Sequence, residues 1–176
     1  MTTEKSKLSA SLEDYLEAIF QIIAEKGAAR PKDISTRLGV KNSSITEALI
    51  TLSKKKLINY APYELISLTS KGQSVARKVV KRHNILHRFF TKILLIGEKE
   101  SEEIACKVEH VIGPNILKKL ETFINFTHSC PRAGEEWLKK AASFNNAELN
   151  IKECSSCMKK NLTDMNKKEI FKKDLV

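Results

Sequence analysis

The first part of the chain shows the apolar spacing of an amphipathic helix. Between residues 12 and 23, large apolar side chains recur at intervals of three and four positions, which places them on one face of a helix. Ser11 followed by Asp14 predicts an N-terminal capping box, and Gly27 predicts the end of the helix. The pattern therefore predicts one long helix with a buried face.

Two shorter helices follow in the predicted order of elements. Pro31–Leu38 has the composition of a short helix that Gly39 stops, and a third helix is predicted to start at Ser43 or Ser44 and to run to about Lys56. Two helices joined by a tight, glycine-containing turn are typical of a helix-turn-helix.

Two short strands are predicted within residues 58–68, around a turn at residues 62–64. They occupy the place of the wing in a winged helix-turn-helix. A long helix is then predicted from Thr69 to about Ile96, where Gly97 interrupts the pattern. Further helices are predicted over residues 101–112, 115–126 and 135–144.

Three residues on one of these helices carry the candidate chemistry. Cys106, Glu109 and His110 stand at positions i, i+3 and i+4, which lie on one face of a helix. A thiolate, a carboxylate and an imidazole together suit a first-row transition metal and suit calcium or magnesium poorly. The spacing therefore predicts a transition-metal site, with a buried, non-ligating thiol as the alternative for Cys106.

The same arrangement of donors recurs on two other predicted helices. Asp14 and Glu17 stand three residues apart, and His83 and His87 stand four apart. Acidic residues three apart usually mark a solvated face, and His87 alone is equally consistent with a surface position. Three such faces in a chain with a DNA-binding pattern favour metal binding.

Composition limits the classes of partner. The chain has 176 residues, a formal net charge of +10 and a pI of about 9.4, which favours a polyanion such as DNA. A basic tail or an anionic membrane surface would give the same balance. No apolar run approaches the ~20 residues of a membrane span, and no signal peptide is evident. We expect a cytoplasmic protein whose four cysteines are thiols or metal ligands.

Several motifs over residues 9–126 resemble those of metal-dependent repressors of the diphtheria toxin repressor and manganese transport regulator family. They are Leu-Glu-Asp-Tyr-Leu-Glu at residues 12–17, Asn-Ser-Ser-Ile-Thr at 42–46, Leu-Thr-Ser-Lys-Gly at 68–72, Arg-His at 82–83 and Cys-Lys-Val-Glu-His at 106–110. The resemblance implies a homodimer that binds a palindromic DNA operator when it is loaded with Fe²⁺ or Mn²⁺, with Co²⁺ or Ni²⁺ as surrogates.

The resemblance also implies a fold and a domain organisation. The expected fold is mostly α, an N-terminal winged helix-turn-helix followed by a helical metal-binding and dimerisation domain. The expected domains are residues 1–72 for DNA binding and 73–126 for metal binding and dimerisation. Residues 127–176 are expected to be a short, cysteine-containing segment in place of the larger C-terminal domain of longer members, and the resemblance gives no guide to this segment.

Metal ligands are implied residue by residue. Asp14, Cys106, Glu109 and His110 occupy the positions of the family's primary, activating site. Glu17 matches a bridging carboxylate of the manganese-type members.

Two features depart from both branches of the family. Iron-type members have Met in place of Asp14, whereas manganese-type members have Glu in place of Cys106, so the chain is a hybrid. At the ancillary site His83 is matched, while His87 and Glu102 have exchanged ligand types relative to iron-type members. The metal preference is therefore left open.

The predicted DNA interface combines small hydroxyls, cations and one aromatic. The hydroxyls lie on the first turn of the recognition helix, where they face base edges and phosphates, and the cations are candidate phosphate contacts or solvated surface residues. The aromatic stands at the wing tip, where it contacts the DNA backbone or packs on the preceding proline. These residues are Ser43, Ser44 and Thr46; Arg37, Lys41 and Lys71; and Tyr63.

A second group of donors lies in the C-terminal segment. His128 and Cys130 are followed by Cys154 and Cys157 in a Cys-x-x-Cys pair, and four such ligands suit a structural Zn²⁺ site. Iron–sulfur ligation and reduced, non-ligating thiols are the alternatives.

Two other functions would use the same residues. A winged-helix regulator could sense redox state or an iron–sulfur cluster through the C-terminal cysteines. A di-metal carboxylate enzyme would need a substrate-binding motif, which the sequence does not supply, so we expect a protein without enzymatic activity.

Overall fold

The computed structural model describes residues 8–130 and 135–142, together with positions 155, 156, 159 and 163. The chain divides into two compact units, Met1–His83 and Asn84–Val176. The division falls within one long helix, and the predicted domain boundaries at residues 72 and 126 stay predictions.

The first unit contains a helix-turn-helix followed by a two-stranded wing, as predicted. Its first helix packs against the second and the third, and the second packs against the third. Pro at the start of the second helix and Gly39 at its end, with a left-handed φ of 65°, set the bounds of that helix. The elements are α1 (Ala10–Lys26), α2 (Pro31–Leu38), α3 (Asn42–Lys54), β1 (Ile58–Asn59), β2 (Ser67–Leu68) and α4 (Ser70–Arg88).

The N-cap of α1 differs from the sequence prediction. Ser9, and not Ser11, caps the helix, because its hydroxyl accepts a hydrogen bond from the Leu12 backbone N–H at 3.3 Å. The helix therefore begins two residues earlier than predicted, and Asp14 lies inside it and not at the capping-box position.

The wing is a short antiparallel ribbon. Ile58 pairs with Leu68 and Asn59 with Ser67. An isolated antiparallel bridge joins Ala29 to Ile66, the residue before β2. The Asn59 amide donates to the Ser67 hydroxyl at 2.9 Å. The bridge at Ala29 anchors the wing to the turn between α1 and α2.

The core of the first unit consists of aliphatic residues from every helix. Leu16, Ile19, Ile34, Leu49 and Leu52 are fully buried and belong to one cluster. Burial of each such side chain contributes about 1.5–3 kcal/mol. The core therefore fixes α3 against α1 and α2.

The predicted helix from Thr69 to Ile96 is wrong in its last part. After α4, Phe89–Ile93 forms a π-helical turn, in which the Leu94 N–H donates to the Phe89 carbonyl at 3.2 Å. Leu95 then adopts a left-handed φ of 55°. The wider turn accompanies burial of Ile93 in the core of the second unit.

The second unit is helical in its described part. A small core of Ile85, Ile93 and Ile124 is extended by partly buried residues that include Leu138. One helix is shifted relative to its prediction. A helix was predicted over residues 101–112, and the observed helix, Glu98–Val108, begins three residues earlier and ends four residues earlier. The helices are α5 (Glu98–Val108), α6 (Pro114–Ser129) and α7 (Glu135–Ala142). Among the described residues, none of the helices is both long and apolar enough to cross a bilayer.

Candidate metal centre and nucleic-acid interface

In the first unit, two predicted ligands lie on α1 and one on α4. Asp14 and Glu17 are one turn apart, and Glu17 is buried. A Glu17 carboxylate oxygen lies within 4.8 Å of a ring nitrogen of His83, which is also buried. The Gln21 amide donates to Glu17 at 3.1 Å and orients its carboxylate. The fold thus brings a carboxylate and an imidazole together, as a metal site requires.

A charged pair joins the same two helices beside these residues. The Arg82 guanidinium forms an ion pair with Glu13, which is buried. Glu13 and Asp14 are adjacent on α1, and Arg82 and His83 are adjacent on α4. The ion pair therefore holds the backbone that carries the candidate ligands.

In the second unit, two predicted ligands lie at the end of α5. Glu109 is its C-cap residue and is only 1% exposed. His110 follows in the turn, with its Nε2 atom 3.4 Å from a Glu109 carboxylate oxygen. Burial of an ionised carboxylate is costly unless a cation or hydrogen-bond donors compensate for it. This pair is suited to hold a metal ion.

Two more predicted ligands occupy an exposed face of α5. Glu102 and Cys106 are one turn apart, with donor atoms within 4.8 Å of one another, and both are exposed. His87 approaches from α4, with its Nε2 atom 3.8 Å from Glu102 and 3.1 Å from Glu98. Within this unit, His87 and Glu102 are therefore neighbours, and their role as ancillary metal ligands stays a prediction.

The donors of the second unit thus fall into two groups that differ in exposure. Cys106 belongs to the exposed face, whereas Glu109 is buried. Glu109 still has helical backbone angles as the C-cap residue of α5, and residues three apart on a helix differ by about 60° in direction. Whether Cys106 ligates the same ion as Glu109 and His110 stays a prediction.

Only half of the predicted zinc site falls on described residues. His128 is exposed near the end of α6, and Cys130 is the partly exposed C-cap residue of that helix. Cys154 and Cys157 lie outside the described residues. The zinc site stays a prediction.

The recognition helix presents its predicted hydroxyls to solvent. Lys41 is the N-cap residue of α3, and Ser43, Ser44 and Thr46 on its first turns are exposed. The Thr46 hydroxyl donates to the Asn42 carbonyl at 3.1 Å, so its lone pairs remain oriented outward from the helix. This arrangement suits entry of the N-terminal end of α3 into a major groove.

Two predicted phosphate contacts already have partners within the first unit. Arg37 forms an ion pair with Glu25 and donates to Gln21 at 3.1 Å. The hydrogen bond from Arg37 lowers the pKa of Glu25 below its usual range. The Lys71 ammonium donates to the Lys55 carbonyl at 3.0 Å. A phosphate would therefore have to compete for both cations.

At the wing tip, Tyr63 is fully exposed, at 108% of its reference area, and has a left-handed φ of 66°. A tyrosine in this conformation is uncommon. The turn is closed by the Glu64 N–H, which donates to the Ala61 carbonyl at 3.2 Å. The exposure is as expected of a ring that contacts DNA, and it disfavours packing on Pro62.

Two candidate DNA-contact residues on α3 were not predicted from the sequence. Glu47 and Ile50 are exposed, and Ile50 retains 43% of its accessible area. With Ser43 they follow the i, i+4, i+7 spacing of one helix face. The same periodicity that identified the buried face would have found them on the opposite one.

Comparison with known families covers most of the described chain. Residues 7–65 match the family model described as the iron-dependent repressor N-terminal DNA-binding domain. Residues 69–138 match the model described as the iron-dependent repressor metal-binding and dimerisation domain.

Curated relatives are similar over the same region. An uncharacterised HTH-type transcriptional regulator of Methanocaldococcus jannaschii is 35% identical over 118 residues, covering 66% of this chain and 94% of the relative. The HTH-type transcriptional regulator MntR of Bacillus subtilis is 33% identical over 116 residues, covering 66% of this chain and 81% of the relative.

Solved structures share the fold. The manganese regulator SloR superposes with a TM-score of 0.60 at 25% identity, over 70% of this chain and 57% of that chain. IdeR of T. acidophilum gives a TM-score of 0.58 at 26% identity, over 63% of this chain and 53% of that chain. The chain thus spans little more than half the length of these solved relatives.

Proposed function

Because this chain belongs to the family of iron-dependent repressors, we propose that it is a divalent-metal-responsive transcriptional repressor that binds operator DNA as a homodimer. The proposal includes a cytoplasmic location and no enzymatic activity. It is supported by relatives described as HTH-type transcriptional regulators.

The observation that carries the proposal is the burial of ionisable donors in each unit. Glu109 is 1% exposed beside His110, and Glu17 is 9% exposed beside His83. Burial disfavours such charges unless they are compensated. Carboxylates, imidazoles and a thiolate are together the donors that Fe²⁺ and Mn²⁺ accept in proteins, so the residues present fit the metal.

The proposed activating ligands are Asp14, Cys106, Glu109 and His110, with Glu17 as a further carboxylate. The donor types and the burial of Glu109 support this set. The proposed ancillary ligands are His83, His87 and Glu102, which the neighbouring positions of His87 and Glu102 support. A bound divalent cation supplies the positive charge that neutralises these carboxylates.

The route from ligand to DNA begins at α1. Asp14 and Glu17 lie on a helix that packs against both α2 and α3. A change in the position of α1 is therefore transmitted through the shared core to the recognition helix. A coupling of about 1–3 kcal/mol would change operator affinity by roughly 5–150-fold.

Base reading is proposed for the exposed face of α3. Ser43 and Ser44 donate to and accept from base edges, and Thr46 accepts from them through its lone pairs. Glu47 accepts from the amino group of cytosine, and Ile50 contacts a thymine methyl group. Hydroxyls discriminate weakly between bases, so part of the specificity comes from DNA shape.

The test is an operator-binding titration with Mn²⁺, with anaerobic Fe²⁺ and with a chelator, using an operator selected from random duplexes. Affinity should rise at least several-fold with metal and fall on chelation. His110→Ala should abolish the rise, whereas Glu103→Gln, an exposed position on the same helix, should retain it. Equal affinity with and without metal would contradict the proposal, and a response to reductant alone would favour redox sensing.

Selectivity among metals tests the role of Cys106. A thiolate favours iron, cobalt and nickel relative to manganese, so Cys106→Glu should shift the order of activation towards manganese. Cys106→Ala removes the ligand without replacing it, so its comparison with Cys106→Glu separates the effect of losing the thiolate from the effect of adding a carboxylate. An unchanged order of potencies in Cys106→Glu would show that Cys106 does not ligate the activating ion.

A further inference from the structure

A basic cavity lies in the first unit at the end of α3 and the start of α4. Its volume is about 590 Å³, within the range of small-molecule sites. Its wall also includes aliphatic side chains, among them Leu57 and Val75, and a single carboxylate, Glu13. Six cationic side chains line it: Lys54, Lys55, Lys56, Lys71, Lys78 and Arg82.

Two elements direct these cations into one space. On α4, Lys71, Val75, Lys78 and Arg82 follow the i, i+4, i+7, i+11 spacing of one helix face. The three consecutive lysines at the end of α3 approach from the other side of the cavity. The cluster is thus a consequence of the tertiary fold and not of one charge run.

The backbone around the cavity is held in place by hydrogen bonds. The Thr69 hydroxyl donates to the Lys56 carbonyl at 2.8 Å and accepts from the Gly72 N–H at 3.0 Å. A Cβ atom at Gly72 would lie 1.8 Å from the Leu57 carbonyl oxygen, so the start of α4 approaches this turn closely. Lys56 holds a left-handed φ of 58°. The backbone that carries these cations is therefore fixed, while the side chains of Lys54, Lys56, Lys71 and Lys78 are exposed.

Among the described residues that line the cavity, cations outnumber carboxylates six to one. Glu13 is the single carboxylate in this described lining, and it is already paired with Arg82. The Nε atom of Arg82 is buried without a hydrogen-bond partner in the described part of the chain. Like charges gathered in this way repel one another, and a bound anion relieves the repulsion.

The dipole of α3 explains why some of the cavity's cations lie where they do. Cations near the C-terminus of α3 interact favourably with its dipole, and Lys71 donates to the Lys55 carbonyl. Lys78 lies two turns into α4 and has no such role. Arg82 lies three turns into α4, and its ion pair with Glu13 leaves its Nε atom without a hydrogen-bond partner among the described residues. A bound anion would explain Lys78 and this atom of Arg82.

We propose that this cavity binds a small polyphosphate anion, either a nucleoside polyphosphate or inorganic polyphosphate. Phosphate oxygens suit several converging ammonium and guanidinium groups. The aliphatic wall accommodates a base or ribose. Lys71 is also a predicted DNA phosphate contact, but DNA is disfavoured as the occupant of the whole cavity, because Lys54 lies about 18 Å along α3 from the base-reading start at Asn42.

The test is isothermal titration of the full-length protein with ATP and, separately, with tripolyphosphate, at physiological ionic strength and in excess chelator. The charge reversal Lys78→Glu removes a cation from the cavity wall. Arg77→Glu is its matched control, since Arg77 is exposed on the same helix, carries the same charge and does not line the cavity. A scrambled DNA duplex is titrated in parallel.

We expect one site per chain, weakened roughly tenfold or more by Lys78→Glu and less than about threefold by Arg77→Glu. If the protein binds ATP more tightly than tripolyphosphate, the ligand is a nucleoside polyphosphate. If it binds both with equal affinity, the ligand is inorganic polyphosphate. Absence of binding by both anions, or equal weakening by the two variants, would overturn the proposal. If Lys78→Glu weakened the binding of the DNA duplex and left the binding of both anions unchanged, the proposal would also be overturned, in favour of a DNA-backbone contact.

Discussion

Replacement of Glu109 by glutamine should separate the stability of the metal-free protein from its response to metal. Glu109 is 1% exposed and lies 3.4 Å from His110 Nε2. Glutamine keeps the shape and removes the charge. Because removal of the charge also removes the desolvation cost of a buried ionised carboxylate, the metal-free variant should unfold at the same temperature as the parent chain or at a higher one.

The response to metal should change in the opposite sense. At a free metal concentration of 100 times Kd, binding stabilises the native protein by about 2.7 kcal/mol. For a chain of this size that corresponds to a rise in Tm of about 5–11 °C. If loss of the Glu109 ligand weakens binding about 100-fold, the stabilisation falls to about 0.4 kcal/mol and the rise in Tm to about 1–2 °C.

The assay is thermal unfolding by circular dichroism, with Mn²⁺ and with chelator, for three proteins. They are the parent chain, Glu109→Gln and the control Glu103→Gln, which makes the same chemical change at an exposed position of α5. The control should keep the full metal-induced rise. A Glu109→Gln variant that also keeps it would refute the assignment of Glu109 as a ligand.

Two further predictions concern the folded framework. The hydrogen bond from Lys26 lowers the pKa of Asp33 below its ordinary value of 3.8, so this carboxylate stabilises the fold above its unfolded-state pKa and ceases to do so as pH falls through the folded-state value. Urea unfolding should find Asp33→Asn less stable than the parent at pH 7 and equal to it well below pH 3.8; a difference independent of pH would contradict this. Gly72→Ala should lower the free energy of unfolding by about 2 kcal/mol or more, because its Cβ atom would meet the Leu57 carbonyl oxygen. Gly113→Ser, an N-cap position with no atom within 4 Å, should be neutral or stabilising, and equal costs at both glycines would refute the steric argument.

The DNA-binding part of the fold was predictable because its signals are local. Spacing of apolar residues fixes the buried faces of α1 and α3, and Gly27 and Gly39 both adopt the left-handed φ that ends a helix. The N-cap was misplaced because Ser9 and Ser11 are both suitable capping residues. Only the structure shows that the Leu12 N–H bonds to Ser9.

The second unit was less predictable because its helix ends depend on packing. Phe89–Ile93 has no proline or glycine to mark a change of helix type. Its π-helical turn accompanies the packing of Ile93 against Ile124, which lies on α6 and is distant in sequence. No pattern confined to one helix contains that information.

The candidate ligands illustrate the same limit. Their identities follow from residue type and spacing, which local sequence supplies. Their exposure does not, since residues three apart on a helix differ by about 60° in direction and one can face solvent while the next faces the core. Cys106 and Glu109 stand in that relation at the end of α5.

The end of α3 shows how a distant residue decides local structure. The lysine run at residues 54–56 contains no helix-breaking residue, and the helix was predicted to include all of it. In the structure Lys56 takes a left-handed φ of 58°, its N–H donates to the Ser53 carbonyl at 2.8 Å, and its own carbonyl accepts from Thr69. A left-handed lysine is unfavourable by itself. The hydrogen bonds that close the helix end, which include Leu57 N–H to the Leu52 carbonyl at 3.0 Å, offset this cost together with the contact from the start of α4. The turn that stops the helix is also the turn that brings its lysines to the α4 cations, so the basic cavity and the misjudged helix end have one cause.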